Sequence, residues 1–290
     1  MHIPALRDQN GIALVSVASL PQILDALKLN ATDVKTEALA QTISKELVRI
    51  LSPHATGVVL SPEHTFYAIL HKSETAGLVL TIEKQIAEID PASLPTLLNR
   101  WSVENIRQNY GVAKLRLAYH PSEPQALTKK KFVAEIYEHC KHLGIDLLLE
   151  LLVYHNATQL PDKATLLQDQ LTAIQELRDK CDGMILEYLN DPLAAATITT
   201  ELDVPWIISS ADPDYERAKS EIRAGIEAGA TGFIISTALF PPTEFITKAL
   251  NPNGNLLAES VPEWFTFLNT VSKDRIIELR RILAENRISN

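Results

Sequence analysis

The feature that most constrains this chain is a rhythm. Short apolar, β-rich runs recur along it, each closed by a polar or proline-containing turn and followed by a stretch with helical periodicity. The runs occupy 11–19, 55–62, 76–83, 112–120, 146–155, 183–189, 205–210 and 232–240. Between them, stretches 36–52, 94–111, 128–144 and 212–229 repeat apolar residues every three to four positions, and several end on a glycine suited to the position past a helix C-terminus. Strands that alternate with helices pair in parallel, and strands apolar on both faces are covered on both sides. No G-x-G-x-x-G turn follows any run. About eight such units in roughly 250 residues therefore predict an α/β fold, a (β/α)8 TIM barrel, rather than an open doubly wound sheet. The tail 261–286 predicts a helical extension packed outside, and residues 1–290 read as a single domain without repeat or linker.

Composition excludes several function classes. A formal net charge of -9 leaves no basic stripe for a phosphate backbone, so no nucleic-acid partner is expected. The lysine run Lys129 to Lys131 reads as a solvated helix face. The two cysteines, Cys140 and Cys181, form neither a CxxC pair nor a cluster with histidines, which suits a reducing compartment. No window approaches the ~20 apolar residues that span a bilayer, and the N-terminus lacks a signal-peptide pattern. No membrane partner and a cytoplasmic location are the expectations.

Parity within each strand says which side chains enter the barrel. In KLRLAYH, the apolar Leu115, Leu117 and Tyr119 suit the helix layer, which turns Lys114, Arg116, Ala118 and His120 inward. The same rule turns Glu83, Glu150 and Glu187 inward on their strands. Two cations set against three carboxylates can satisfy one another, as a structural ion-pair layer or as a polar pocket. Strand C-terminal ends are where barrel enzymes keep their active sites, and His120, His155 and Asn156 follow two of those ends. Two histidines without a third make no zinc set; His64, with Glu83 or Glu150, would have to join them, and no metal or cofactor is expected. Trp101, Trp206 and Trp264 read as packing residues.

The stretch from Ala76 to His120 resembles the class I tagatose-bisphosphate aldolase family and its relatives that cleave sulfosugar phosphates and inositol-derived keto acids. The likeness rests on a strand ending in Glu83-Lys84, a helix carrying Trp101-Ser102 and a strand with an inward Lys114. Pro62-Glu63 upstream, and LLLELLVYH, VPWIISSA and EAGATGFIISTALF downstream, fall in register with the family's second, fifth, seventh and eighth strands. The resemblance implies a Schiff-base lysine on strand six, two residues before a carboxylate. Here that segment reads Met184-Ile185-Leu186-Glu187. Isoleucine forms no imine. The family's acid-glutamine-arginine run after strand one falls on Ala18, Ser19 and Leu20. Its phosphate-holding glycine turns and arginine fall on Ser209, Ser210 and Ala211 and on Ser236 and Thr237, with Pro241-Pro242 removing amide donors beyond.

Two readings follow. In one, the barrel has given up aldol chemistry and binds a metabolite, a sugar or keto acid, or a protein partner. In the other, it is a carbon-carbon lyase or transaldolase in which Lys114 or Lys84 forms the imine, Glu150 and Glu187 carry protons and Arg116 clamps an anion or carbonyl. Glu83, Lys84, Arg116, His120, His155, Ser209, Ser210, Ser236 and Thr237 are the candidate ligand contacts. The resemblance also implies a homo-oligomer, for which the apolar stretch Val261 to Leu268 offers a surface.

Overall fold

The computed structural model describes residue 6 and residues 10–18, 34–84, 90–99, 101–155, 161–240 and 261–288, the backbone alone at 34–40, 261–262 and 287–288. Ser19, Leu20, Asn156, Pro241 and Pro242 lie outside the described residues.

Eight parallel strands close on themselves in sequence order. They are β1 (Ile12–Ser16), β2 (Gly57–Leu60), β3 (Gly77–Thr81), β4 (Val112–Tyr119), β5 (Leu147–Val153), β6 (Gly183–Glu187), β7 (Trp206–Ser210) and β8 (Gly232–Ile235). Each falls inside one of the runs read from the sequence. Closure depends on Gly232, which faces Ile12 across the β1–β8 seam; a Cβ there would run into the Ile12 carbonyl oxygen. Only glycine lets the two backbones approach so closely.

The helices are α1 (Val34–Leu51), α2 (Val103–Gln108), α3 (Ala126–Leu143), α4 (Lys163–Leu177), α5 (Pro192–Glu201), α6 (Tyr215–Glu227), α7 (Val261–Phe267) and α8 (Lys273–Ile288), the last two joined by a π-helical turn. The starts of α4, α5 and α6 carry side-chain caps: Asp162 accepts from the Thr165 amide at 2.8 Å, Asp191 from Leu193 at 2.9 Å and Asp214 from Arg217 at 3.0 Å. Gly144 ends α3 in the left-handed region at φ 68°, where the Ile145 amide returns to the Cys140 carbonyl.

Two sequence expectations are corrected. The helix read over 94–111 begins only at Val103, because Ser102 and Asn105 cap it there; ahead of it, Leu97 bridges Glu83. Lys129 is not a solvated residue. It is fully buried, donating to Glu123 at 2.7 Å, to the Ala118 carbonyl at 2.9 Å and to the Pro91 carbonyl. The neighbouring Lys130 does stay on the outside, paired with Glu176 at 3.0 Å.

The core has two parts. Between strands and helices lies a large shell that includes Leu115, Leu117, Tyr119, Leu149, Leu186, Ile208 and Phe233. Inside the barrel sits a second cluster: Leu6, Ile12, Leu14, Ala18, Val59, Val79, Val112, Leu148, Ile185, Ile207 and Ile234. Alternation along β4 then puts Lys114 and Arg116 inside, above Val112, and on β5 puts Glu150 above Leu148. The apolar plug occupies the barrel's lower interior, and the polar residues are left at the C-terminal end. Trp206 and Trp264 are buried in the outer shell, and Trp101 packs edge-on against Phe66 with ring centres 4.7 Å apart. Among the described residues no helix is long and apolar enough to cross a membrane.

Candidate active site

At the C-terminal mouth, Lys114, Arg116, Ser209, Ser236 and Thr237 border one cavity of about 110 Å³ together with Glu150 and Ser16. The register explains the grouping: Arg116 lies opposite Glu150 across β4 and β5, and Glu187 opposite Ser209 across β6 and β7. Lys114 forms a direct ion pair with Glu150, their side chains 5% and 13% exposed. Arg116 Nε stands 3.8 Å from the same carboxylate oxygen, beyond hydrogen-bond reach, and among the described residues it has no hydrogen-bond partner.

Burial alone would raise the Glu150 carboxyl, but the charges of Lys114 and Arg116 outweigh it and hold Glu150 below the usual carboxylate range. Glu187 shifts the other way. Its side chain meets solvent at the mouth, yet loss of hydration raises its pKa and the nearby negative charge of Glu150 adds to the rise, against a smaller opposing pull from Arg116. Two inward carboxylates thus differ in their tendency to hold a proton, the pattern acid–base sites use.

Not every candidate joins this wall. Ser210 borders the cavity, but its hydroxyl donates to Glu221 of α6 at 2.7 Å. Thr237 donates to the Ala211 carbonyl at 3.0 Å, which leaves its oxygen able only to accept. Glu83 is buried at the end of β3, and Lys84, of opposite parity, donates its amide to the Thr96 carbonyl at 2.8 Å and does not border the cavity. His120 and His155 sit on the rim in a separate group with Asp169 of α4. His64 is instead beside Glu63 at 3.5 Å.

Ile185 occupies the position where the resemblance calls for the imine lysine. It is fully buried in the inner plug beneath Glu187 and opposite Glu150. Ala18, in register with the family's acidic position, belongs to the same plug. Sequence reasoning missed Ser16, Glu221 and Asp169. Ser16 shares the inward parity of Ile12 and Leu14 and was legible on that ground; Glu221 and Asp169 lie on helices whose rotation no single strand pattern discloses.

No family model matches the chain. It is 25% identical over 254 residues to tagatose 1,6-diphosphate aldolase 2 of Enterococcus faecalis, an alignment covering 77% of this chain and 75% of that protein. It is 32% identical over 160 residues to tagatose 1,6-diphosphate aldolase 1 of the same organism, covering 53% of this chain and 48% of the relative. A Listeria monocytogenes tagatose 1,6-diphosphate aldolase matches at 29% over 147 residues, 49% of this chain and 42% of the relative. These last two alignments span about half the length of the relatives or less. Among solved structures, an archaeal fructose 1,6-bisphosphate aldolase superposes with a TM-score of 0.61 at 14% identity, covering 98% of this chain and 97% of the other. A second, with its catalytic lysine bound to a carbinolamine intermediate, gives 0.63 at 12% identity over 94% and 96%. At such identities the structural likeness speaks for the barrel itself, while the sequence matches carry the kinship. The chain is a sequence relative of the tagatose 1,6-diphosphate aldolases, built on the barrel that archaeal fructose-bisphosphate aldolases also use.

Proposed function

We propose that this aldolase-related barrel binds a small anionic metabolite, a keto acid or short sugar acid or phosphate, without forming an imine. One observation carries the reading: the Arg116 guanidinium reaches the cavity wall with no carboxylate within hydrogen-bond distance of its Nε, while Lys114 beside it is held in a direct ion pair with Glu150. A carboxylate or phosphate oxygen satisfies such a donor better than water does in a confined site, and hydrogen bonds to charged groups contribute about 1.5–3 kcal/mol. Lys114 and Arg116 outnumber Glu150 by one charge on the cavity wall, so the cavity favours a negative group. Ser209 and Ser236 across the cavity supply hydroxyls for the ligand's own hydroxyls or carbonyl.

Imine chemistry needs a free amine. The Lys114 amine is engaged in a direct ion pair with Glu150, which argues against it as a free nucleophile. Borohydride trapping with ketose phosphates and unphosphorylated keto acids, followed by intact mass and peptide mapping, separates the two readings. The expected result is no adduct, with calorimetric binding of a small keto acid or sugar acid that weakens about ten- to a hundredfold in Arg116→Gln. A covalent adduct on Lys114 would establish a relocated Schiff base and sink the binding-only reading.

A further inference from the structure

The rim group of His120, His155 and Asp169 stands outside the cavity just described and has its own geometry. His120 is the first residue past β4, His155 the second past β5, and Asp169 sits midway along α4, which returns over the same edge of the barrel. One donor atom from each lies within 4.8 Å of the other two. Asp169 Oδ2 is 3.5 Å from His120 Nε2 and 3.7 Å from His155 Nδ1.

Those distances are too long for hydrogen bonds, and the same chain shows what a bonded histidine–carboxylate pair looks like: His139 Nε2 meets Glu104 Oε1 at 2.9 Å. The spacing fits a different purpose. Donors about 2.1 Å from a four-coordinate ion stand roughly 3.4 Å apart along the edges of its tetrahedron. The imidazoles meet edge-on, ring centres 5.3 Å apart and planes at 84°, and each has one nitrogen within 3.7 Å of the shared carboxylate. Side-chain exposures of 22%, 12% and 22% for His120, His155 and Asp169 leave the group reachable by an ion yet shielded from bulk water.

We propose that His120 Nε2, His155 Nδ1 and Asp169 Oδ2 form a three-ligand site for a divalent transition ion, with a fourth position open to water or a ligand oxygen. Two imidazoles and one carboxylate select zinc, cobalt or nickel over magnesium or calcium, which favour all-oxygen sets. The site carries a single negative charge when its histidines are neutral, so a dication leaves it net positive and the open position attracts an anion. One local contact opposes loading. The Ser122 amide donates to His120 Nδ1 at 3.1 Å, which places the neutral ring's proton on Nε2. Metal binding at Nε2 moves that proton to Nδ1 and displaces the amide, a modest adjustment in an exposed turn. The site therefore forms at some expense in affinity compared with one whose tautomer is already set.

The test uses the 290-residue chain stripped of metal with a chelator and titrated with zinc chloride against a chromophoric competitor, and separately with cobalt(II). The expected result is one equivalent bound, visible cobalt absorption of tetrahedral intensity and a zinc-dependent rise in the thermal midpoint. His155→Gln and Asp169→Asn should each weaken binding at least about tenfold and abolish the cobalt band. Magnesium should produce neither effect. Unfolding midpoints of the metal-free variants, compared with the metal-free parent, show whether each remains folded. Failure of the parent to bind zinc, or zinc binding undiminished in both folded variants, would overturn the site. Because neither outcome involves Arg116, the cavity reading stands or falls separately.

Discussion

Two walls of the barrel mouth, built on the same strand pattern, have become chemically unlike. On β4 and β5 the inward residues pass from Val112 and Leu148 at the bottom to Lys114, Arg116 and Glu150 at the top; on β7 and β8 they pass from Ile207 and Ile234 to Ser209 and Ser236. Both walls change from apolar to polar at about the same height, because the plug ends there. The first wall then consists of long charged groups, Lys114 paired with Glu150 and Arg116 in excess, and the second of short neutral hydroxyls that leave space open. A self-paired charged wall is a matter of stability as much as of binding, since each partner left alone keeps its desolvation penalty. The hydroxyl wall is spared that penalty and sets only what fits.

The largest expected effect breaks the charged wall. Lys114→Met leaves buried Glu150 with only Arg116, 3.8 Å away and not hydrogen-bonded to it, and Glu150→Leu strands Lys114; each should lose about 3–5 kcal/mol in denaturant unfolding. The double variant should lose far less than the sum of the two, because removing both charges leaves nothing unpaired. Ser209→Ala on the opposite wall should stay within about 1 kcal/mol. Additive losses in the double variant would mean that the two walls differ in residue type and not in energetics.

A smaller effect sharpens the contrast at its base. Ile185 has no exposed surface and lies between Glu150 and Ile207 in the sheet register, so Ile185→Lys drives an ammonium into the apolar plug and should destabilise by about 2–4 kcal/mol. If borohydride then traps a ketose on that lysine, the mouth still orients a carbonyl toward strand six. If the variant unfolds at its expected midpoint shift and traps nothing, the remaining wall residues no longer present a substrate to strand six.

Much of this was legible in the sequence. All eight strands were, because a parallel strand covered on both faces leaves an unmistakable apolar run, and the inward set on β4 to β6 followed from parity once Leu115, Leu117 and Tyr119 were assigned outward. What escaped depended on contacts between elements distant in the chain. Lys129 looked like one of three solvated lysines until loop carbonyls at Pro91 and Ala118 and the Glu123 carboxylate were seen to converge on it. The partner of Ser210 was equally hidden, because only the turn of α6 brings Glu221 onto its hydroxyl. Asp169 carried no local signal at all; only the packing of α4 over the β4 and β5 ends brings it to the histidines. Helix 94–111 was overextended because its apolar spacing is helical while the capping pair Ser102 and Asn105 sets the actual start.

The smallest expected effect concerns the two carboxylates of the charged side, and its sign is opposite for each. Glu150 is held below its unfolded value by Lys114 and Arg116 despite burial, so the stability it contributes is present above the unfolded carboxylate pKa and is lost as pH falls through its folded value. Glu187 is raised by burial and by Glu150, so the folded protein binds its proton more tightly than the unfolded chain does. Stability therefore falls as pH climbs from the unfolded value of about 4.3 through the raised one, and stays lowered at neutrality. Glu187→Gln removes that penalty. The variant should be more stable than the parent at pH 7 by a few tenths to about 1 kcal/mol, the size being limited by the water that reaches this side chain, and the gain should vanish at low pH, where the parent's carboxyl is protonated. Denaturant unfolding of both proteins across that range gives the difference curve directly. A gain independent of pH would trace the effect to packing, and no gain at neutrality would mean that neither burial nor Glu150 disfavours the charged Glu187.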